Sequence, residues 1–290
     1  MSTILGHSVP FWKMQGCGND FVVIDNRGLG LPREAMPRWA EKACAKSFGV
    51  GADGIFFWRE PDPASPAEQG CDIVWDFYNN DGSRAEMCGN ASRCSGRLAH
   101  ALGLVEAEHV LGTDAGPIRV RVLEDVGEVK VQLTEPKDEA LDLSLDVEGA
   151  AMAVHFVDTG VPHAVVFAED VAAVDVAALG RLLRFHPHFA PAGANVNFAQ
   201  VLDENTVRVR TYERGVEAET YACGTGVSAV QLIAHRLGLT GPASSLTTTG
   251  GETLTVSVEH GGLFLQGGAE CTFSGRLYLE PLSLSEGEDG

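Results

Sequence analysis

The order of apolar runs and polar turns is repeated in the two halves of this chain. The apolar runs Val22-Val23-Ile24 and Ala164-Val165-Val166 each follow a glycine-containing turn, and each run predicts a buried β-strand. A second strand is predicted over residues 72–78 in the first half and over residues 206–212 in the second half. Each half therefore begins with the same two predicted elements.

A helical pattern follows the second predicted strand of each half. Its apolar residues recur at intervals of three and four, which is the spacing of one face of an α-helix. Both segments end at Leu-Gly-Leu, where Gly103 and Gly238 provide the residue that helix C-termini favour. Tracts typical of β-strands follow over residues 118–133 and 253–265. The helical pattern is carried by Leu98, Ala101, Leu102, Val230, Ile233, Ala234 and Leu237.

The two halves are also related by sequence identity at a constant spacing. Cys88 and Cys223 lie 135 positions apart, and nine further identical pairs keep that spacing. A repeat that places one cysteine at the same point of each half suggests a site with two facing thiols. These pairs are Gly89/Gly224, Ala99/Ala234, His100/His235, Leu102/Leu237, Gly103/Gly238, Leu104/Leu239, Leu111/Leu246, Thr113/Thr248 and Gly116/Gly251.

Each of these cysteines is predicted to lie at a junction between a strand and a helix N-terminus. The positive end of the helix dipole and the unpaired backbone N–H groups there favour a thiolate. A single cysteine at such a position is more often a small buried residue, but two at matching points of a repeat favour catalysis. Gly89 and Gly224 let the backbone approach a ligand closely, and Asn90 and Thr225 are able to orient an anion.

A second group of polar residues consists of weaker candidates for the site, because each residue has an ordinary structural explanation. His163 follows a proline, and Glu213 is predicted in a turn near the second thiol, where a carboxylate is able to tune a neighbouring pKa. Arg214 is able to grip a substrate carboxylate, although a surface ion pair explains it equally well. Three asparagines are predicted in turns, where asparagine is common for conformational reasons: Asn19, Asn79 and Asn195.

Composition narrows the classes of partner and the compartment. The formal net charge of -19 over 290 residues argues against nucleic acid or an anionic membrane surface. No stretch is apolar for long enough to span a bilayer, and residues 1–10 lack the pattern of a secretory signal. Seven dispersed cysteines without a paired C-x-x-C pattern favour a reducing compartment and argue against structural zinc. We therefore expect a cytoplasmic protein, with a polar and acidic tail over residues 283–290.

Several short motifs together resemble the diaminopimelate epimerase family. In the first half they are Gly18-Asn19-Asp20-Phe21, Gly51-Ala52-Asp53-Gly54 and Asn79-Asn80-Asp81-Gly82-Ser83, followed by Cys88-Gly89-Asn90. In the second half they are Pro162-His163, Asn195-Val196-Asn197-Phe198, Tyr212-Glu213-Arg214-Gly215 and Ala222-Cys223-Gly224-Thr225-Gly226. Any one motif is weak evidence, but the full set in this order is specific.

The resemblance implies an α+β fold of two pseudo-symmetric halves. Each half is a curled mixed or antiparallel sheet around a central helix, with the active site in the cleft between them. We expect an N-terminal half over residues 1–140 with Cys88 and a C-terminal half over residues 141–290 with Cys223. For the last strand of the chain, the resemblance is compatible with a position in either half, including a return to the N-terminal half.

The resemblance also implies an isomerase that needs neither a cofactor such as pyridoxal phosphate nor a metal. Its expected activity is interconversion of LL- and meso-2,6-diaminopimelate in lysine and peptidoglycan precursor biosynthesis, as a cytoplasmic homodimer with a small amino acid as substrate. Cys88 and Cys223 are then the acid/base pair, and His163 and Glu213 modulate their pKa values. The implied substrate-binding residues are Asn19, Asn79, Gly89, Asn90, Asn195, Glu213, Arg214, Gly224 and Thr225.

Alternatives remain open at this point. Where the family usually has Gly-Asn-Pro-His, this chain has Gly160-Val161-Pro162-His163, so a racemase or epimerase of a different amino acid is one alternative. Proline racemase-like enzymes also use two cysteines, whereas phenazine-biosynthesis-type isomerases share the architecture without the thiol pair. A protein of another class, a thiol redox switch that uses Cys88 and Cys223, is the third.

Overall fold

The computed structural model describes residues 6–284, and these residues form two compact units. Unit 1 comprises the residues up to 131 together with those from 268 onward, and unit 2 comprises residues 132–267. The expectations for residues 1–10 and for the tail over residues 283–290 lie in part outside the described residues. Between residues 6 and 284, no helix is both long enough and apolar enough to cross a membrane.

Unit 1 is built on eight of the described strands. Its last strand, Glu270–Tyr278, is β17 in chain order because nine strands of unit 2 precede it, and it pairs with the first strand of the chain. The others are β1 (Ser8–Gly16), β2 (Asn19–Asp25), β3 (Gly54–Arg59), β4 (Ile73–Asn79), β5 (Glu108–Thr113), β6 (Gly116–Leu123) and β7 (Glu128–Gln132). The hydrogen-bonded order is β17-β1-β2-β3-β4-β5-β6-β7, in which β2/β3 and β4/β5 are parallel and the other pairs antiparallel.

Two helices cover opposite faces of the central strands of unit 1. Helix α1 (Met36–Ala43) shares a core cluster with alternate residues of β2 and β3, including Ile24 and Phe57. Helix α2 (Gly89–Ala101) contacts β1, β2, β5, β6 and β17, and Trp58 Nε1 of β3 donates to Ser95 Oγ of α2 at 2.8 Å. Because both faces are covered, β2 and β3 have continuous apolar runs instead of an alternating pattern.

Unit 2 repeats this arrangement with nine described strands and two helices. Its order is β8-β9-β10-β11-β12-β14-β15-β16, with β13 added to β12, and β10/β11 and β12/β14 are the parallel pairs. The strands are β8 (Lys137–Val147), β9 (Ala150–Asp158), β10 (Pro162–Phe167), β11 (Asn195–Asp203), β12 (Thr206–Glu213), β13 (Ala218–Thr220), β14 (Ala243–Thr247), β15 (Thr253–Glu259) and β16 (Gly262–Gly268). The helices are α3 (Val176–Arg184) and α4 (Gly224–Arg236).

The packing in unit 2 also follows that of unit 1. Helix α3 shares a core cluster with β10, β11 and β12, and Gly180 of α3 lies so close to Tyr212 that an added Cβ would meet its side chain at 2.5 Å. Helix α4 contacts β9, β10, β11, β12, β14 and β15, and its residues from Gly226 to Ala234 are buried. Small residues at such positions let a helix pack closely against a sheet.

The two units match strand by strand. Read in spatial order, the seven successive pairings of each unit have the same orientations: two antiparallel, one parallel, one antiparallel, one parallel and two antiparallel. In this match β17 corresponds to β8. Helix α2 follows β4, the fifth strand of unit 1 in spatial order, and α4 follows β12, the fifth strand of unit 2, with only the short β13 between them in the chain. The repeat detected around the two cysteines therefore extends through the whole topology.

Four residues that the sequence places in turns lie instead at strand ends. Asn19 and Asn195 are the first residues of β2 and β11, and Asn79 and Glu213 are the last residues of β4 and β12. The turn after Glu213 is a β-hairpin, since β13 pairs with β12. A strand end fixes the direction of a side chain more tightly than an open turn does.

Candidate active site

Cys88 and Cys223 occupy the same position on equivalent helices. Each is the N-cap residue in an extended conformation, with φ of -145° for Cys88 before α2 and -128° for Cys223 before α4. The Cys88 carbonyl oxygen accepts from Ser92 N at 2.8 Å, and that of Cys223 accepts from Val227 N at 3.0 Å. The predicted placement of both cysteines at helix N-termini is confirmed, and both thiols are half-buried. The positive helix ends there favour anionic groups.

In unit 1, three of the predicted site residues are linked through one amide oxygen. Asn19 Oδ1 accepts from Cys88 Sγ at 3.8 Å and from Asn90 Nδ2 at 3.4 Å. Asn90 lies in the first turn of α2 beside Gly89, and both residues are buried. The helix start and the beginning of β2 therefore bring Asn19, Cys88 and Asn90 together, as the sequence predicts for one site.

A pair of carboxylates supports Asn19 from behind. Asn19 Nδ2 donates to Asp53 Oδ2 at 2.5 Å, and the same oxygen accepts from Asp20 N at 3.2 Å. Asp53 N in turn donates to Asp20 Oδ1 at 2.9 Å, and Lys13 Nζ lies 2.7 Å from Asp20 Oδ2. Because Asp53 accepts from the Asn19 amide nitrogen, the amide oxygen is left facing Cys88.

Asn79 is not part of this hydrogen-bonded group. Its side-chain amide donates to Ser83 Oγ at 3.0 Å, within the turn that follows β4. It lies opposite Gly54 in the β3/β4 ladder, one residue from Asp53, and its side chain is exposed. A role for Asn79 in substrate binding stays a prediction.

In unit 2, the strands β10, β11 and β12 align the polar residues. His163 is opposite Asn195 in the parallel β10/β11 ladder, and Asn197 is opposite Thr211 in the β11/β12 ladder. Asn197 Nδ2 donates to Ala164 O at 3.1 Å and to His163 Nδ1 at 3.1 Å, while Asn197 Oδ1 accepts from Thr211 Oγ1 at 2.9 Å. These contacts fix the Asn197 amide, so His163 Nδ1 is the acceptor and the ring proton resides on Nε2.

His163 is neutral in the folded protein. Its side chain is completely buried, and this burial together with the charge of Arg214 lowers the pKa of His163 to about 3. Within residues 6–284, its Nε2 atom has no hydrogen-bond partner. A buried N–H donor without a partner costs free energy. Such a donor is typical of a group that binds a ligand or acts on a reacting atom.

Three more predicted residues, Asn195, Glu213 and Arg214, lie at the same end of the unit 2 strands. Asn195 Oδ1 accepts from Arg214 N at 2.8 Å, and Asn195 Nδ2 donates to Pro162 O at 3.3 Å. Burial raises the pKa of Glu213 above its ordinary range, which brings this carboxyl group closer to neutral pH. Among the described residues, the Arg214 guanidinium makes no ion pair with a carboxylate. It is therefore available for an anionic ligand.

The second thiol is held against the start of α4. Cys223 Sγ lies 3.5 Å from Thr225 Oγ1, and Thr225 O accepts from Thr159 Oγ1 at 3.1 Å. Gly226 leaves no space for a side chain, since an added Cβ would lie 3.2 Å from Cys223 Sγ and closer still to Asn197 Oδ1. Gly224 is the first helical residue, next to the thiol.

Sequence reasoning missed Asp53, Asn197 and Thr211. Asn197 could have been predicted, because residues two apart in a strand lie on the same face and Asn195 was already a candidate. The role of Asp53 depends on the register between β2 and β3, which is a long-range feature. As for metals, the described part of the chain holds no group of three or more His, Cys, Asp and Glu residues arranged to bind an ion.

The burial of neutral His163 predicts a specific loss of stability in acid. The unfolded chain binds a proton at this histidine below a pH of about 6.5, whereas the folded protein does not until the pH nears 3. The stabilisation that depends on neutral His163 is therefore complete above pH 6.5 and is lost as the pH falls toward 3. Between pH 6.5 and pH 4 we expect His163 alone to lower the free energy of unfolding by roughly 3 kcal/mol.

The measurement is urea unfolding followed by far-UV circular dichroism at pH 7, 5.5 and 4. The variant His163→Gln keeps an acceptor for Asn197 but has no titrating ring, so its stability should decline less in acid than that of the unsubstituted protein. His188→Gln, at an exposed position, is the matched control for loss of an imidazole. A difference between His163→Gln and the unsubstituted protein that is the same at all three pH values would contradict the burial argument.

The family of the chain is decided by comparison with known proteins. The sequence profile of the diaminopimelate epimerase family matches residues 11–138 and 155–271, which is well over half of the chain. The chain belongs to the diaminopimelate epimerase family. The predictions that it belongs to this family and is an isomerase are confirmed by this match.

Individual members of the epimerase family match over nearly their full length. Diaminopimelate epimerase of Aquifex aeolicus is 46% identical over 284 residues, covering 94% of this chain and 99% of the relative. Diaminopimelate epimerase of Archaeoglobus fulgidus is 39% identical over 285 residues, covering 94% of this chain and 98% of the relative.

More distant solved structures share the fold of this epimerase family member. A phenazine biosynthesis protein of the PhzF family from Bacillus anthracis matches with a TM-score of 0.68 at 17% identity, covering 93% of this chain and 99% of that chain. A probable proline racemase from Agrobacterium radiobacter also matches with a TM-score of 0.68 at 17% identity, covering 94% of each chain. At this identity the likeness concerns the fold alone. The predicted α+β class with two similar halves is confirmed.

Proposed function

We propose that this protein interconverts LL- and meso-2,6-diaminopimelate without a cofactor, using Cys88 and Cys223 as a pair of acid/base groups. The observation that carries the proposal is the equivalent placement of the two thiols, which are the N-cap residues of the corresponding helices α2 and α4. The substrate follows from family membership and from relatives named diaminopimelate epimerase. The reaction belongs to lysine biosynthesis and also provides a peptidoglycan precursor.

Epimerisation by two thiols balances protons and electrons without a redox partner. One cysteine, as thiolate, takes the α-proton, and the electron pair of the broken C–H bond becomes the carbanion, delocalised into the carboxylate. The other cysteine, as thiol, donates its proton to the opposite face of the same carbon. The two groups exchange roles in the reverse direction, so the active protein holds one proton between them.

The helix N-termini supply the electrostatic part of the mechanism. The first-turn backbone amides at Gly89-Asn90 and at Gly224-Thr225 would bind the α-carboxylate and stabilise the charge that develops on it. In unit 1, the Cys88 thiol lies 3.8 Å from Asn19 Oδ1. In either direction of the reaction, one of the two cysteines is the base and the other is the proton donor.

The polar residues of unit 2 fit the remaining tasks. Arg214, without an ion pair to a described carboxylate, would bind the distal carboxylate of the substrate, and Asn195 holds the backbone of Arg214 in place. His163 would offer its Nε2 proton, and Glu213, whose pKa is raised by burial, would modulate the thiols. We also propose a cytoplasmic homodimer, an assignment that depends on the family resemblance and on the dispersed cysteines.

The test is incubation of the purified protein with LL-diaminopimelate in deuterated water. We expect meso-diaminopimelate to form and deuterium to enter the α-position of the product, measured by NMR and mass spectrometry. Glutamate, histidine and proline are assayed in parallel, because half-buried Val161, two residues before His163, stands where the family usually has an asparagine. Exchange with one of these amino acids but not with diaminopimelate would replace the substrate assignment, and exchange with none would favour a thiol redox switch.

A further inference from the structure

Arg93 is a buried cation that pairs with no carboxylate of the described residues. It lies in helix α2, its side chain is completely buried, and no ion pair joins it to a carboxylate within residues 6–284. An uncompensated charge in a protein interior costs several kcal/mol. Some other group must therefore balance the guanidinium.

The contacts of Arg93 leave one candidate for that role. Its Nε donates to Gly268 O at 3.3 Å, and its Nη2 faces both Asn90 Oδ1 at 3.0 Å and Cys17 Sγ at 3.1 Å. The carbonyl and the amide oxygen are neutral acceptors. Among the contacts of the guanidinium within residues 6–284, Cys17 is the one that is able to carry a negative charge, as a thiolate.

Cys17 and Gly18 form the two-residue turn between β1 and β2, and both have a positive φ, as two-residue hairpin turns favour. Cys17 lies between β1 and β2, and its φ of 57° is in the left-handed region that residues with a side chain seldom adopt. Its thiol is half-buried, so it is in reach of small molecules from solvent. The Nη1 atom of Arg93 is buried and has no partner in the described part of the chain. It is an unused donor on the same guanidinium that faces the sulfur.

We propose that Cys17 is a thiolate paired with Arg93 and that it is a site of oxidation by peroxides, distinct from the two cysteines of the epimerisation. The thiolate attacks one oxygen of the peroxide, a sulfur–oxygen bond forms and the oxygen–oxygen bond breaks. With hydrogen peroxide, the sulfur is oxidised to a sulfenic acid and the leaving oxygen departs as hydroxide, which is protonated by the buffer. The unused Nη1 donor provides a hydrogen bond for the oxygen that sulfur gains.

The first test compares Cys17 with Cys271 in one molecule. Cys88 and Cys223 are both changed to serine in the full chain so that their thiols do not react, and iodoacetamide labelling is quantified for each remaining cysteine by peptide mass mapping. At pH 7 we expect Cys17 to react about tenfold faster than Cys271. Since Cys271 is exposed and Cys17 only half-buried, easier access cannot explain that order. At pH 10 the ratio should fall, because ordinary thiols are then ionised as well.

The second test adds hydrogen peroxide and dimedone, which traps sulfenic acids, to the same protein. We expect the dimedone adduct on the Cys17 peptide at peroxide concentrations that leave Cys271 unmodified. Arg93→Met should lower both the alkylation rate and the adduct yield at Cys17 about tenfold, and Arg93→Lys should retain most of both. The fold of each variant is checked by circular dichroism.

The comparison of Cys17 with Cys271 needs no change at Arg93, so it decides the proposal even when Arg93→Met does not fold. Equal or slower alkylation of Cys17 than of Cys271 at pH 7 would overturn the thiolate assignment. Labelling at pH 7 as expected, but without a dimedone adduct on Cys17, would overturn the assignment as an oxidation site. Neither readout requires epimerase activity, so the outcome is independent of the proposed function.

Discussion

Replacement of either Cys88 or Cys223 by alanine is expected to lower the rate of diaminopimelate epimerisation by about a thousandfold or more. If the two thiols act as acid and base on opposite faces of one carbon, each variant lacks a group that no neighbouring side chain replaces. The assay is formation of meso-diaminopimelate from LL-diaminopimelate, with deuterium incorporation as a second readout. Substrate affinity, measured by calorimetry, should change far less than turnover.

The alanine variants are suited to this test because the fold is expected to tolerate them. Neither Cys88 nor Cys223 makes a side-chain capping hydrogen bond, although each is the N-cap residue. Alanine therefore removes no cap, and the circular dichroism spectrum should stay unchanged. Cys271→Ala, at an exposed position outside the proposed site, is the matched control and should keep full activity. Substantial turnover in both single variants would rule out the two-base mechanism.

The sequence predicts the junctions that carry the thiols better than it predicts the rest of the fold. The change from a strand pattern to a helical period just after each cysteine is local, and it correctly places both residues at helix N-termini. Helices α1 and α3 are not predicted. Each is short, eight and nine residues, and lies outside the repeated segments.

The helical pattern itself is only partly realised. Leu98 is buried as expected, but Leu102, which follows the last residue of α2, is 41% exposed. The buried surface of α2 consists mainly of small residues such as Ala91 and Cys94, because the helix is enclosed by strands on several sides. The spacing of apolar residues reveals a helix that is buried on one face. It underestimates the buried surface of a helix that is enclosed on nearly all sides.

For the site residues, the sequence predicts their identity but not their protonation states. The motif residues His163, Asn195 and Glu213 were candidates from the sequence, and the β10, β11 and β12 strands do bring them to one end of unit 2. Their states were not predictable. The neutrality of His163 and the raised pKa of Glu213 result from burial, which depends on contacts between distant parts of the chain.

The arginine cluster around Asp76 is a further long-range feature, and it leads to the second large expected effect. Asp76 is 1% exposed, and its carboxylate oxygens lie 2.8 Å from Arg33 Nη2, 2.9 Å from Arg84 Nη2 and 3.2 Å from Arg59 Nε. We expect Asp76→Asn to destabilise unit 1 by about 3 kcal/mol or more, because the amide keeps the shape but leaves three guanidinium groups facing a neutral residue.

The fluorescence of the protein reports this effect directly, since all four tryptophans of the chain, Trp12, Trp39, Trp58 and Trp75, lie in unit 1. Urea unfolding followed by tryptophan emission should show a lower midpoint for Asp76→Asn with the slope unchanged. The matched control is Asp114→Asn. Asp114 also pairs with Arg84, but about a third of its side chain is exposed.

Exposure to solvent explains why the two substitutions are expected to differ in their effect on stability, although both remove a carboxylate. Water screens the Asp114 pair and hydrates Arg84 once Asp114 is removed, so its loss should cost about 1 kcal/mol or less. Water does not reach the Asp76 carboxylate to the same extent, so the three guanidinium groups lose a shared negative charge at a poorly hydrated point, although Arg59 keeps Glu68 and Arg84 keeps Asp114 as a partner. Equal midpoints for Asp76→Asn and Asp114→Asn would mean that the three arginines turn outward to solvent when Asp76 is neutral. The interior of unit 1 would then owe little of its stability to this buried charge.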